Sequence, residues 1–203
     1  MWIASDWPMH DISEEYLYSA HMLQHMLLIY VAAPLIILGL PPELTDPFLE
    51  ARPRLLKFAR FLVHPLVAGL IFNFNFSVWH FPELYEAALR DRTLHVIEHW
   101  LMFLPALLMV WPLVSRSRVL PRISFGGAMI YCFALMIADL PLWAVLIFGE
   151  QPIYETYRLA PRITALTASS DMILGAAIMK GFNEVFALVN MALAFFLWYK
   201  RDR

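Results

Sequence analysis

The chain has 203 residues, a net charge of −2 and a mean hydropathy of +0.61, and 61% of its residues are hydrophobic. Soluble domains sit near roughly 45–50% apolar; here the excess falls in blocks long enough to cross a bilayer, the mark of an integral membrane protein. No basic field is present to hold nucleic acid, and the single cysteine, Cys132, excludes an intrachain disulfide or a Cys-x-x-Cys site.

Residues 1–18 are aromatic and acidic and carry no lysine or arginine. Trp2, Trp7 and Tyr16 suit an interfacial aromatic belt. The first residues lack the basic stretch of a signal peptide, so the chain is expected to enter the membrane through its own helices. A first helix is predicted over about 19–40, ended by Pro41-Pro42 and open to a kink at Pro34. A loop at 41–60 starts acidic and ends basic. A second helix, about 61–79, is rich in phenylalanine and interrupted by Asn73 and Asn75, with His80 at its end. A short loop leads to a third helix, about 93–113. Arg116, Arg118 and Arg122 fill the next loop. A fourth helix, about 123–148, contains Asp139, and a longer loop leads to a fifth, about 169–198. The expected fold is therefore all-α: a single integral membrane domain over 1–203, a polytopic bundle of about five transmembrane helices.

Orientation follows the lysines and arginines of the loops. The segments 41–60 and 114–122 and the tail hold ten; the N-terminus, 81–92 and 149–168 hold four. This predicts an outside N-terminus and a cytoplasmic C-terminus. Six of the seven histidines then fall on the outer side, His10 among them, and only His64 on the inner side.

His21 and His25 are one helical turn apart, so their imidazoles share a face, with Cβ atoms about 6 Å apart. Met22 and Met26 repeat that spacing on the neighbouring face. His95-Val-Ile-Glu98-His99 repeats the histidine pair at the head of the third helix. Ionisable groups inside a span are costly unless paired or functional. A shared metal site at the outer mouth, built from His21, His25, His80, His95 and His99, accounts for them. Imidazole suits copper, zinc and iron, and thioether suits Cu(I); Met22, Met26 and Met172 point to copper. Glu98, Asp139 and Asp171 are then groups that orient imidazoles, or further ligands.

Plainer readings stand beside these. Histidines near helix ends can sit at the headgroup level, and methionine is a common apolar filler. Asp171 can cap the fifth helix, with Ser169 or Ser170 sharing that role. Lys180 and Glu184, four residues apart inside the fifth helix, read as an intrahelical ion pair, or else as a proton path or a contact with a partner's buried charge. Asn183 and Asn190 read as interhelical hydrogen-bonders. His95-x-x-Glu98-His99 also matches a zinc-peptidase pattern, without its downstream carboxylate. Two facing histidines could ligate haem b in an electron-transfer protein. A scaffold with no metal is the third alternative.

Taken together, several segments resemble one family, the CtaG-type cytochrome c oxidase assembly factors, multi-pass proteins of bacterial plasma membranes. They are Ser19-Ala-His21-Met22-Leu-Gln-His25-Met26, Ala33-Pro34-Leu-Ile-Ile-Leu-Gly39-Leu-Pro41, Trp79-His80-Phe-Pro-Glu-Leu-Tyr85, His95-Val-Ile-Glu98-His99 and Asp171-Met-Ile-Leu-Gly175. The resemblance implies a protein that is not an enzyme and that assists maturation of a haem-copper oxidase at the copper centre of its catalytic subunit. The family's recurring histidines correspond to His21, His25, His80, His95 and His99, and its acidic position to Asp171. Met172, Gly175-Ala176 and Lys180 stand where the family often has Gln, Gly-Gly and Trp. The expected cargo is copper as Cu(I). The expected partners are the oxidase catalytic subunit, a copper donor protein, the lipid bilayer and a second copy of the chain. The loops at 81–92 and 149–168 are the expected docking surface.

Overall fold

Proline sets the boundaries of much of this chain. In the computed structural model, which describes residues 11–149 and 151–201, four helices begin with proline at their first position: α2 (Pro42–Glu50), α3 (Pro53–Leu62), α4 (Pro65–Trp79) and α5 (Pro82–Arg90). The missing N–H costs nothing there, and the fixed φ already suits a helix. The expectations for Trp2, Trp7 and His10 lie outside the described residues.

Around these stand the long apolar helices α1 (Tyr18–Gly39), α6 (Arg92–Val114), α7 (Phe125–Phe148) and α9 (Ala168–Arg201), each long enough to span a bilayer. The bent pair α3–α4 is the fifth candidate span, its halves meeting at 65°. The bend falls at His64-Pro65, where His64 is extended (φ −61°, ψ 129°) because the proline ring disfavours a helical residue before it. The described residues are all-helical, without strands.

The differences from the predicted elements lie between the spans. The segment 41–60 is two short helices, α2 and α3, and the stretch 53–62 is separate from α4. The loop at 81–92 holds α5, and the loop at 149–168 holds a short α8 (Glu155–Leu159). Binary pattern alone hides such helices, because each is short and half-exposed.

Pro34 does not simply kink α1. Just before it, Leu28–Ala32 widens into a π-helical turn, and the Ala33 N–H reaches back five residues to Leu28 O. Proline removes one ladder bond and crowds the preceding turn, and the wider turn absorbs both. A similar wide turn at Ile12–Tyr16 precedes α1, with Leu17 N–H donating to Ile12 O.

The starts of α1, α6 and α9 share one end of the bundle, joined by contacts of Tyr18 with Asp171 and of His21 with His95. The opposite end is basic: Arg60 donates to Val119 O, and Arg122 and Arg201 both lie over the Phe125 ring. The core between is lined by residues such as Met26, Phe72, Met109 and Ala176. Cys132 is a free, buried member of that core.

Candidate metal centre

Two helix starts carry the histidines, and each is capped differently. Asp91 caps α6 with its own carboxylate, accepting from Thr93 N (2.7 Å) and Leu94 N (3.1 Å), which sets His95 one turn in. Leu17, at the N-cap of α1, has no side chain for the task. Asp171 supplies it from α9, accepting from Tyr18 N (2.8 Å), Ser19 N (3.3 Å) and Ser19 Oγ. Asp171 is thus neither beside an imidazole nor the cap of its own helix. Thr167 caps α9, through Ser170 N at 3.1 Å.

The two histidine pairs meet face to face. Ring centroids are 4.3 Å apart for His21–His25, 4.4 Å for His95–His99, 5.6 Å for His21–His95 and 5.1 Å for His25–His99. Glu98 reaches into the same space: Oε1 lies 3.9 Å from His21 Nε2, and Oε2 lies 3.6 Å from His95 Nδ1. His21, His25 and Glu98 can each point one ligand atom so that all lie within 4.8 Å of one another. All three are buried. Neither ring nitrogen of His25 has a hydrogen-bond partner among the described residues. A buried polar atom without a partner is expensive, and a cation in the middle of this cluster would satisfy it.

His80 stands in the next layer. Its Nδ1 is 2.7 Å from Phe76 O, so Nδ1 carries the proton and Nε2 keeps a lone pair. Burial pushes this imidazole down to about 4, against the opposing pull of the Phe76 carbonyl, so the ring is neutral. Its Nε2 is buried without a partner among the described residues. Tyr85 lies between, with its ring 6.3 Å from His80 and 5.3 Å from His21.

The methionines lie elsewhere. Met22 packs beside Gly175 of α9, and Met26 lines a small cavity with Phe72 and Met179. Met172 is buried in the core next to Asp171. Asp139 is also apart from the histidines, 2.7 Å from Lys180 Nζ and accepting from Asn183 at 2.8 Å. The expected Lys180–Glu184 pair forms at 2.8 Å. Asn183 bonds across helices, whereas Asn190 donates to Phe186 O of its own helix.

Two features escape a reading of the sequence. Glu14, from the turn before α1, lies 2.9 Å from His95 Nε2. Four buried tyrosines wall the cluster: Tyr85 stacks on Tyr154 at 4.0 Å, Tyr18 stacks on Tyr154 at 5.2 Å, and Tyr157 donates to Ser13 O. Burial pushes the hydroxyls of Tyr85 and Tyr157 well above their ordinary range, so both stay protonated. Tyr154 and Tyr157 come from a segment whose composition reads as loop; their i, i+3 spacing was the only local signal.

No curated protein and no solved structure matches this chain. A family model, described as cytochrome c oxidase caa3 assembly factor (Caa3_CtaG), matches residues 1–201. That match takes in every element that builds the centre, and the chain belongs to the cytochrome c oxidase caa3 assembly factor family.

Proposed function

We propose that the chain binds copper as cargo at the His21–His25–Glu98 centre and delivers it to the catalytic subunit of a haem-copper oxidase. The observation that carries this reading is the convergence of three buried donor side chains within 4.8 Å, with two unpartnered ring nitrogens on His25. His95 and His99 complete the ring of imidazoles, and His80 offers Nε2 from behind Tyr85. Neutral imidazoles are exchangeable ligands, which suits transfer better than a closed structural site.

The donor set refines the oxidation state. Imidazole with carboxylate suits Cu(II) as readily as Cu(I), and the side chains of Met22 and Met26 pack against other helices. Haem b fits less well, because imidazoles in mutual contact leave no flat slot for a macrocycle. The reading places the protein in a bacterial plasma membrane, N-terminus outside, with the histidine end at the outer face and the basic end in the cytoplasm. It assigns no reaction to the chain, and a copper donor protein would load it.

The test is elemental analysis with an optical spectrum on detergent-purified protein, beside the His21→Ala/His95→Ala double variant, after anaerobic copper loading. Stoichiometric copper that is lost in the double variant, without a Soret band, is the expected result. Equal copper in both proteins would sink the site, and a Soret band would move it to haem.

A further inference from the structure

Midway along α9, a lysine has been drawn into a carboxylate cluster that it cannot neutralise. Lys180 Nζ donates to Met136 O (2.6 Å), Asp139 Oδ1 (2.7 Å) and Glu184 Oε1 (2.8 Å). An ammonium has three protons, and all are spent. Asp139 Oδ2 is satisfied by Asn183 at 2.8 Å. Glu184 Oε2 has no partner among the described residues. One cation against two carboxylates leaves one negative charge over, and it rests on Glu184. Its side chain is 28% exposed, against 15% for Lys180 and 14% for Asp139.

That exposed edge has a definite shape. Ala177, Gly181, Glu184 and Leu188 follow at i, i+4, i+7 and i+11, so they share one face of α9. Ala177, Gly181 and Leu188 are exposed. A Cβ built on Gly181 would meet nothing within 4 Å. Small residues four apart let another helix backbone approach closely inside a membrane. Glu184 stands one turn beyond that low point, at the middle of the 34-residue helix, where lipid offers its charge nothing.

We infer that this face of α9 docks a transmembrane helix of another protein, one that carries a single lysine or arginine at mid-span. Charge decides between occupants. A second copy of this chain would bring a second surplus carboxylate to the same depth, and like charges would repel. A cationic helix would fill the groove over Ala177 and Gly181 and give Glu184 Oε2 its missing donor. The inference does not rest on the copper reading, because the face uses none of the histidine side chains.

The test uses full-length protein in lipid vesicles and three synthetic Leu/Ala transmembrane peptides that differ only at the central residue: Lys, Leu or Glu. Association is read by energy transfer between labelled protein and peptide. The Lys peptide is expected to bind roughly tenfold tighter than the Leu peptide, and the Glu peptide most weakly. Glu184→Gln, which keeps the bond to Lys180 and removes the charge, should abolish the Lys preference. Gly181→Leu, which fills the groove in open space, should weaken both the Lys and the Leu peptides. Equal binding of all three peptides overturns the inference, as does a Lys preference that survives Glu184→Gln. Energy transfer between two labelled populations of the chain, lost in Gly181→Leu, would assign the face to self-association and overturn it too.

Discussion

Asp171 of α9 accepts the Tyr18 N–H at 2.8 Å, so the aspartate of the last helix caps the first. The first turn of a helix has unpaired N–H groups and a partial positive charge, and a buried carboxylate answers both. Through this contact the packing of α9 sets the position of His21 and His25, one and two turns further along.

On the copper reading, removing that carboxylate is therefore expected to cost stability and metal together. Asp171→Ala leaves the buried Tyr18 and Ser19 donors unpaired and is expected to destabilise the protein by about 1–3 kcal/mol. Asp171→Asn, which keeps one acceptor oxygen, should lose less. Thermal unfolding in detergent, with copper stoichiometry measured on the same samples, checks this. An Asp171→Ala protein that melts with the wild type and loads copper normally would show that α1 holds its start without α9.

Gly175 is where α9 touches Tyr18. A Cβ there would run into Tyr18 Cδ1 and lie 2.6 Å from Cε1, on the body of a fully buried ring. Gly175→Ala must displace the ring that stacks on Tyr154, and a cost of about 1–3 kcal/mol is expected. Tyr18→Leu frees that space, so the double variant should recover part of the loss. Measured melting temperatures that simply add would mean that the ring moves aside freely.

Glu98 faces two histidines, and its role separates from theirs by substitution. Glu98→Gln keeps the shape and removes the anionic donor, and copper affinity is expected to fall roughly 10–100-fold. His64→Ala serves as a control, since His64 is exposed at the break between α3 and α4. In the wild type, affinity should also weaken in acid, below the ordinary histidine range, because burial holds an imidazole such as His80 down to about 4 and a protonated imidazole cannot ligate. Competition titrations with a chromophoric chelator at several pH values read both effects. A pH-independent affinity, or one unchanged by Glu98→Gln, would count against this donor set.

At the basic end, Asp46 of α2 accepts from Ser117 Oγ (2.6 Å) and Arg118 N (2.8 Å), tying α2 to the turn between α6 and α7. Burial opposes the carboxylate, but these two bonds and the Arg118 charge outweigh it and hold Asp46 below its ordinary 3.8. A depressed carboxyl stabilises the fold above its unfolded pKa and stops doing so as pH falls through the folded value. The wild type should thus melt higher than Asp46→Asn at pH 5 and above, and the gap should close in stronger acid. A gap that widens on acidification would reverse the sign of this linkage.

The sequence by itself determined the spans and the types of the candidate donors. Apolar blocks must leave water, so the long helices begin within a few residues of where hydropathy and proline place them. The i, i+4 rule put His21 beside His25 and His95 beside His99 before any fold was known. Only the tertiary structure decided which of these residues meet. Local pattern carries no information on how α1, α6 and α9 rotate about their axes, and that rotation sent Glu98 in among the imidazoles, Met22 to Gly175 and Asp139 to Lys180. It also brought Glu14 and the tyrosines of 154–157 to the histidines from segments whose composition reads as loop. Asp171 is the clearest case: its chemistry is plain in the sequence, but the helix it caps begins 153 residues away, and only packing can join them.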